Sequence, residues 1–171
     1  VVQPVEAYTS FLSIEECKND ATFTFDPKID RYCCVGFDLA DRGDLNCAVA
    51  MWMRPGDDHI YERCCGWIAE KQIEINSNLM KERDCLPYTV WSTQMCDRDP
   101  IINIAQGDKV NSRWIIDFLQ ELVNDGIYPV FIGYDGWHVD DWLERELAMF
   151  AGEANIRAIP QTARVLSPAM K

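Results

Sequence analysis

The segment YPVFIGYD, Tyr128 to Asp135, carries no charged residue until its last position. A short continuous apolar run of this kind, with turn signals at its ends, predicts a strand buried on both faces. Such a strand has no place in a sheet with one wet side. The chain must therefore lay cover over both surfaces of the sheet that contains it.

Its flanks supply candidates for that cover. Upstream, Trp114, Ile115, Phe118, Leu119, Leu122 and Val123 fall on one helical face, with Gly126 at the stop. Downstream, HVDDWLERELAMFAG has acids in its first turn, an apolar stripe through Trp142, Leu143, Leu147 and Phe150, and Gly152 at its end. IRAIP is a further short strand candidate. Ser167 and Pro168 read as the N-cap and first position of a last helix.

The N-terminal half has a different rhythm. Residues 31–39, 45–53 and 59–69 are strand candidates joined by DRGD and RPGDD, and connections this short predict an antiparallel meander. Residues 71–84 read as a helix, and PYTVWS and PIINIA as short extended pieces. Residues 1–30 lack sustained periodicity apart from a capping pattern at Ser13 and Glu16 and a turn at Asp26-Pro27, so they read as an arm or linker. The predicted fold class is α/β, a mixed sheet in which the three-strand meander joins parallel strands, with helices on both faces, over residues 31–171.

Charge and cysteine usage narrow the chemistry. With 28 Asp and Glu against 16 Lys and Arg in 171 residues, the formal net charge is −12. That disfavours a broad basic nucleic-acid surface and is compatible with a carboxylate cluster neutralised by a divalent cation, although most of these acids are expected as solvated surface and composition does not separate the two. The 8 cysteines show no CxxC spacing and only His59 and His138 accompany them, which argues against structural zinc and for small buried hydrophobes in a reducing cytosol. No apolar run approaches the roughly 18 residues of a membrane span, so no membrane partner is expected.

Asp38 ends the first strand candidate and Asp135 ends the buried run. If the two strands are neighbours, their carboxylates meet at one sheet edge, where like charges repel unless a cation shares them. Oxygen donors of this type suit Mg²⁺ or Mn²⁺, and two such ions about 4 Å apart can clamp the attacking and leaving oxygens of a phosphodiester. The bland alternative stays open, because Asp38 and Asp135 also suit ordinary turns. Glu70 and His138 are further candidate ligands, whereas Asp140 and Asp141 read as structural acids of a helix start. Trp52, Trp67, Trp114 and Trp142 read as packing residues rather than base-stacking platforms, and Trp137, beside Asp135, is the exception.

Four stretches, VGFDLADRGDLNCAVAMW, LPYTVWS with IINIAQGDKVNSRWIIDFLQEL, VFIGYDGWHVDDWLEREL and IPQTARVLSPAMK, resemble in that order the C-terminal nuclease domain of the large terminase subunit of tailed bacteriophages. The resemblance implies a ribonuclease-H-like fold and an endonuclease that uses Mg²⁺ or Mn²⁺, as two ions, to cut concatemeric viral DNA during packaging. It assigns Asp38 and Asp135 as catalytic metal-binding acids and gives Asp44, after the hairpin turn, a weaker metal-positioning role. It implies double-stranded DNA, an ATPase domain, a small terminase subunit and a portal as partners, in the cytoplasm of a bacterial host. The family's third acid lies beyond an SPAMK-like segment, so the C-terminal part of the domain is expected to be missing. No GxxxxGK[ST] loop is present, so ATP hydrolysis by that route is not expected. Two other readings remain: a catalytically incomplete docking module of the packaging motor, and an actin-like ATPase hairpin, which expects glycine-rich phosphate loops where DRGD has one glycine.

Overall fold

The computed structural model describes residues 22–40, 45–79, 88–96, 99–100, 102–108 and 111–167. The meander forms as expected: β1 (Tyr32–Asp38), β2 (Asn46–Met53) and β3 (Ile60–Ala69) pair antiparallel, with Gly36 opposite Val49 and Val49 opposite Cys64. Alternation puts Cys33, Val35 and Phe37 on the buried side of β1 and leaves Tyr32, Cys34 and Asp38 exposed. Next come α1 (Glu70–Leu79), a helical turn α2 (Tyr88–Trp91), a two-residue ribbon of β4 (Met95–Cys96) and β5 (Asp99–Pro100), and β6 (Ile102–Ala105). The chain continues through α3 (Arg113–Asn124), β7 (Tyr128–Tyr134), α4 (Asp141–Ala151), a 3₁₀ turn (Glu153–Asn155), β8 (Ile156–Ala158) and α5 (Ala163–Leu166).

Among the described residues one sheet has six strands in the order β6-β3-β2-β1-β7-β8. The β3–β6, β1–β7 and β7–β8 pairs are parallel, so only β2 runs against the rest. Five strands therefore end at one edge.

The main core lies between the sheet and the two long helices. Ile115, Phe118, Leu119 and Leu122 of α3 and Leu143 and Leu147 of α4 bury against Val35, Phe37, Ala48, Ala50, Trp67 and Ile132. Fully burying one such aliphatic side chain contributes about 1.5–3 kcal/mol. On the opposite face, Ile68, Tyr88 and Ile102 form a second small cluster with Ile73 and Trp91, which covers only the β3–β6 end. Farther along, Tyr32, Met51, Met53 and Tyr128 stand exposed. The apolar run of β7, expected to be buried on both faces, is accordingly buried from Ile132 to Tyr134 but exposed at Tyr128 and Val130.

Several expectations are corrected. PYTVWS, read as extended, contains the helical turn α2: the Ser92 N–H donates to the Tyr88 carbonyl at 2.9 Å, and Tyr88 and Trp91, three apart, bring their rings to 5.8 Å on one face. Pro87 before it favours a helix start over a strand. Trp142 is 42% exposed, because α4 turns Leu143 and Leu147 to the sheet and Trp142 lies about 100° round from Leu143. Cys33 is buried, whereas Cys34 and Cys64 are exposed, since adjacent residues of a strand face opposite ways. Ser167 stands in a turn after α5; residues 168–171, where the expected last helix falls, residues 80–84 of the expected helix and the Ser13–Glu16 pattern lie outside the described residues.

Residues 22–30 pack onto the far end of the sheet. Asp30 is wholly buried and accepts hydrogen bonds from Trp52 Nε1 at 2.9 Å, Arg54 Nε at 2.8 Å, Arg54 Nη2 at 2.7 Å and the Asp26 N–H at 2.8 Å. Arg54 also donates to the Thr24 carbonyl, and its guanidinium lies 4.1 Å from the Tyr61 ring centre. Burial pushes the Asp30 carboxyl up, but the hydrogen bonds from Arg54, Asp26 and Trp52, with the Arg54 charge, outweigh it and hold the group below its ordinary value.

Candidate active site

The register of the central parallel pair decides which acids meet. Gly36 lies opposite Gly133 and Phe37 opposite Tyr134, so the next residues along β1 and its neighbour are Asp38 and Asp135. The strands that carry the two sequence candidates are thus adjacent, and both end at the same edge. Asp38 is exposed and Asp135 is half-buried.

The residues just below hold these strand ends together. Phe37 and Tyr134 stack with centroids 5.5 Å apart and planes 12° apart on the core side. The Tyr134 hydroxyl donates to Glu144 Oε1 of α4 at 2.6 Å, and burial, then the hydrogen bond and charge of Glu144, push its pKa up to about 12. Alternation turns Asp38 to the other face, together with Gly36. A Cβ on Gly36 would meet nothing within 4 Å, so the strand leaves open space beneath Asp38.

On the β2 side, Asn46 is buried and its Oδ1 accepts the Ala40 N–H at 2.9 Å, which fixes the chain as it leaves Asp38. Cys47 lies opposite Asp38, and burial and then the Asp38 charge push its thiol up, against a hydrogen bond with the Asp38 backbone. Its sulfur is therefore held neutral and is a poor ligand. Asp44 lies outside the described residues.

On the β7 side, Asp135 Oδ1 accepts the Trp137 N–H at 3.3 Å. His138 adopts a φ of 66°, and Asp140 caps α4 by accepting the Leu143 N–H at 2.8 Å, with Asp141 in the first turn. Asp140 thus has the structural role expected of an acid at a helix start. His138 and Trp137 are exposed. Glu70, the first residue of α1, follows β3 at the same edge but two strands away from β1.

Neither Asp38 nor Asp135 pairs with a Lys or Arg among the described residues. Asp38 and Asp135 thus stand at adjacent strand ends without a cationic partner, and carboxylate oxygen is the donor type that a hard divalent cation takes. No group of three or more His, Cys, Asp or Glu that could hold a metal is present among the described residues. The sequence reading missed Asn46 and the Phe37–Tyr134–Glu144 clamp, although Asn46 at the start of an otherwise apolar strand was the available signal.

No family model matches this chain, and no curated protein matches it. A solved structure, the HK97 bacteriophage large terminase, is similar over 82% of this chain with a TM-score of 0.59 and 19% identity. The chain spans 27% of the length of that terminase. At this identity the likeness is one of fold, and it agrees with the mixed α/β sheet expected from the sequence. No described helix is long and apolar enough to cross a membrane.

Proposed function

We propose that the chain is a nuclease domain of the phage large-terminase kind, a DNA endonuclease that depends on Mg²⁺ or Mn²⁺ and cuts concatemeric viral DNA during packaging. One observation carries the reading: Phe37 pairs with Tyr134, and an aspartate follows each of them at the same edge of the sheet. The terminase-like fold supports it.

In this reading Asp38 and Asp135 hold the cation. A bound divalent ion would supply an acidified water and counter-charge for the phosphodiester oxygens. The chain's own part is positional. Asn46 holds the backbone after Asp38, the Asp135 carboxylate is steadied by the Trp137 N–H, and the stacked Phe37 and Tyr134 keep the two strand ends at fixed separation. Asp44 takes a lesser role in positioning, and Glu70 is the further acid available on that edge. Duplex DNA is the substrate, with an ATPase domain, a small terminase subunit and a portal as partners in the host cytoplasm.

A second reading is a docking module without activity of its own. Cleavage of supercoiled plasmid in Mn²⁺, Mg²⁺ and EDTA separates the two. Metal-dependent nicking abolished in Asp38→Asn and in Asp135→Asn is the expected result; no nicking by the folded chain favours the docking module.

A further inference from the structure

The turn between Asp135 and α4 carries an aromatic residue that the core does not use. Trp137 is 74% exposed, while Trp52 and Trp67 are 6% and 2% exposed and Trp91 and Trp114 are partly buried. Trp142, five residues on, is 42% exposed on the same turn and helix start. Leaving an indole in water forgoes the burial that usually justifies this residue.

The turn that presents it is held from both sides. The Trp137 N–H is bound by the Asp135 carboxylate at 3.3 Å, and the next residue, His138, sits in left-handed backbone at φ 66°. Asp140 then fastens the exit by capping α4. A non-glycine residue in that region is strained, and such strain concentrates at functional turns. Asp-Gly-Trp-His-Val-Asp, residues 135–140, contains no Lys or Arg, and the whole chain has a net charge of −12. Phosphate attraction is weak here, so whatever this turn binds must be gripped by other means.

We infer that Trp137 is a base-stacking contact for DNA, placed two residues from Asp135 so that an unpaired or unstacked base beside the scissile phosphate lies against the indole. Every base offers a π face, so the contact is indifferent to sequence and independent of salt. This assignment rests on the nuclease reading for its DNA partner, but it concerns binding and not cleavage.

The test is equilibrium binding by fluorescence anisotropy, in EDTA and in Ca²⁺, with a labelled duplex containing a short single-stranded gap. The chain is compared with Trp137→Ala and Trp137→Phe, each confirmed as folded by circular dichroism. Trp137→Ala should weaken binding about tenfold or more, at an unchanged salt slope, with most of the affinity retained by Trp137→Phe. Equal affinity of the chain and Trp137→Ala, equal loss in both variants, or no binding by any of them overturns the inference. The two proposals fail separately. Nicking that needs Asp38 with no effect of Trp137→Ala on affinity removes only the stacking contact, whereas Trp137-dependent binding by a chain that never nicks removes only the nuclease.

Discussion

Asp30 shows how a single buried charge is tolerated. Its side chain is fully buried and Arg54, its partner, is 18% exposed, so the pair is shielded from salt and the remaining lone pairs are filled by Trp52 and Asp26. Asp30→Ala strands the guanidinium and should cost about 3–5 kcal/mol in urea unfolding. Because its folded pKa lies below the ordinary 3.8, its contribution is present above that value and is lost as pH falls through the folded pKa. Acid unfolding should accordingly begin at a higher pH in the chain than its other acids alone would give, and Asp30→Asn should flatten that limb. Tyr134 has the opposite sign. Its pKa is raised to about 12, so its stabilisation is present below the unfolded value near 10 and is lost as pH rises from there through 12. Ultraviolet titration should find one tyrosine ionising near 12, and Tyr134→Phe should remove it. Asp38 and Asp135 were legible as candidates because each closes a strand signal. Asp30 was not, because Arg54 lies 24 residues away and no local pattern links the two.

Elements whose signal is local came through intact. The three meander strands and the helix α3 are set by alternation, by tight turns and by a continuous apolar face ending in Gly126, whose φ of 87° suits only glycine. At the end of α4, Gly152 has φ 84° and ψ 146°, a region closed to residues with a Cβ, and it turns the chain from the helix into the approach to β8. Gly152→Ala should lower stability by about 1–3 kcal/mol, read as a lower urea midpoint at unchanged slope. At the other end of the same helix, Asp140→Ala removes the cap from Leu143 and should cost about 1 kcal/mol. In the nuclease reading it should also slow nicking, because the turn behind Asp135 loses its anchor. Trp142 was misread because helical residues are sorted by angle, so one position decides between core and water, and α2 because a single helical turn is too short to show a helical period.

For the molecule as a whole, the test of the metal reading is linkage between cation binding and folding. A site built from Asp38 and Asp135 exists only when β1 and β7 are paired, so a cation at about a hundredfold its Kd should raise Tm by about 5–10 °C. Asp38→Asn should abolish that rise; the same rise in the variant, or none in the chain, would count against the site. The sequence alone determined the three meander strands, the helices α3 and α4 and the strand β7, and which acids end strands, because each of these depends on neighbours along the chain. Only the tertiary structure decided that β1 lies beside β7, that β6 joins the far edge beside β3, and that residues 22–30 are tied down through Asp30 and Arg54. Strand order and buried pairing are contacts between residues far apart in sequence. They are chosen by which arrangement buries the faces of α3 and α4 and leaves no buried side-chain polar atom unpartnered among the described residues, a condition that no local window contains.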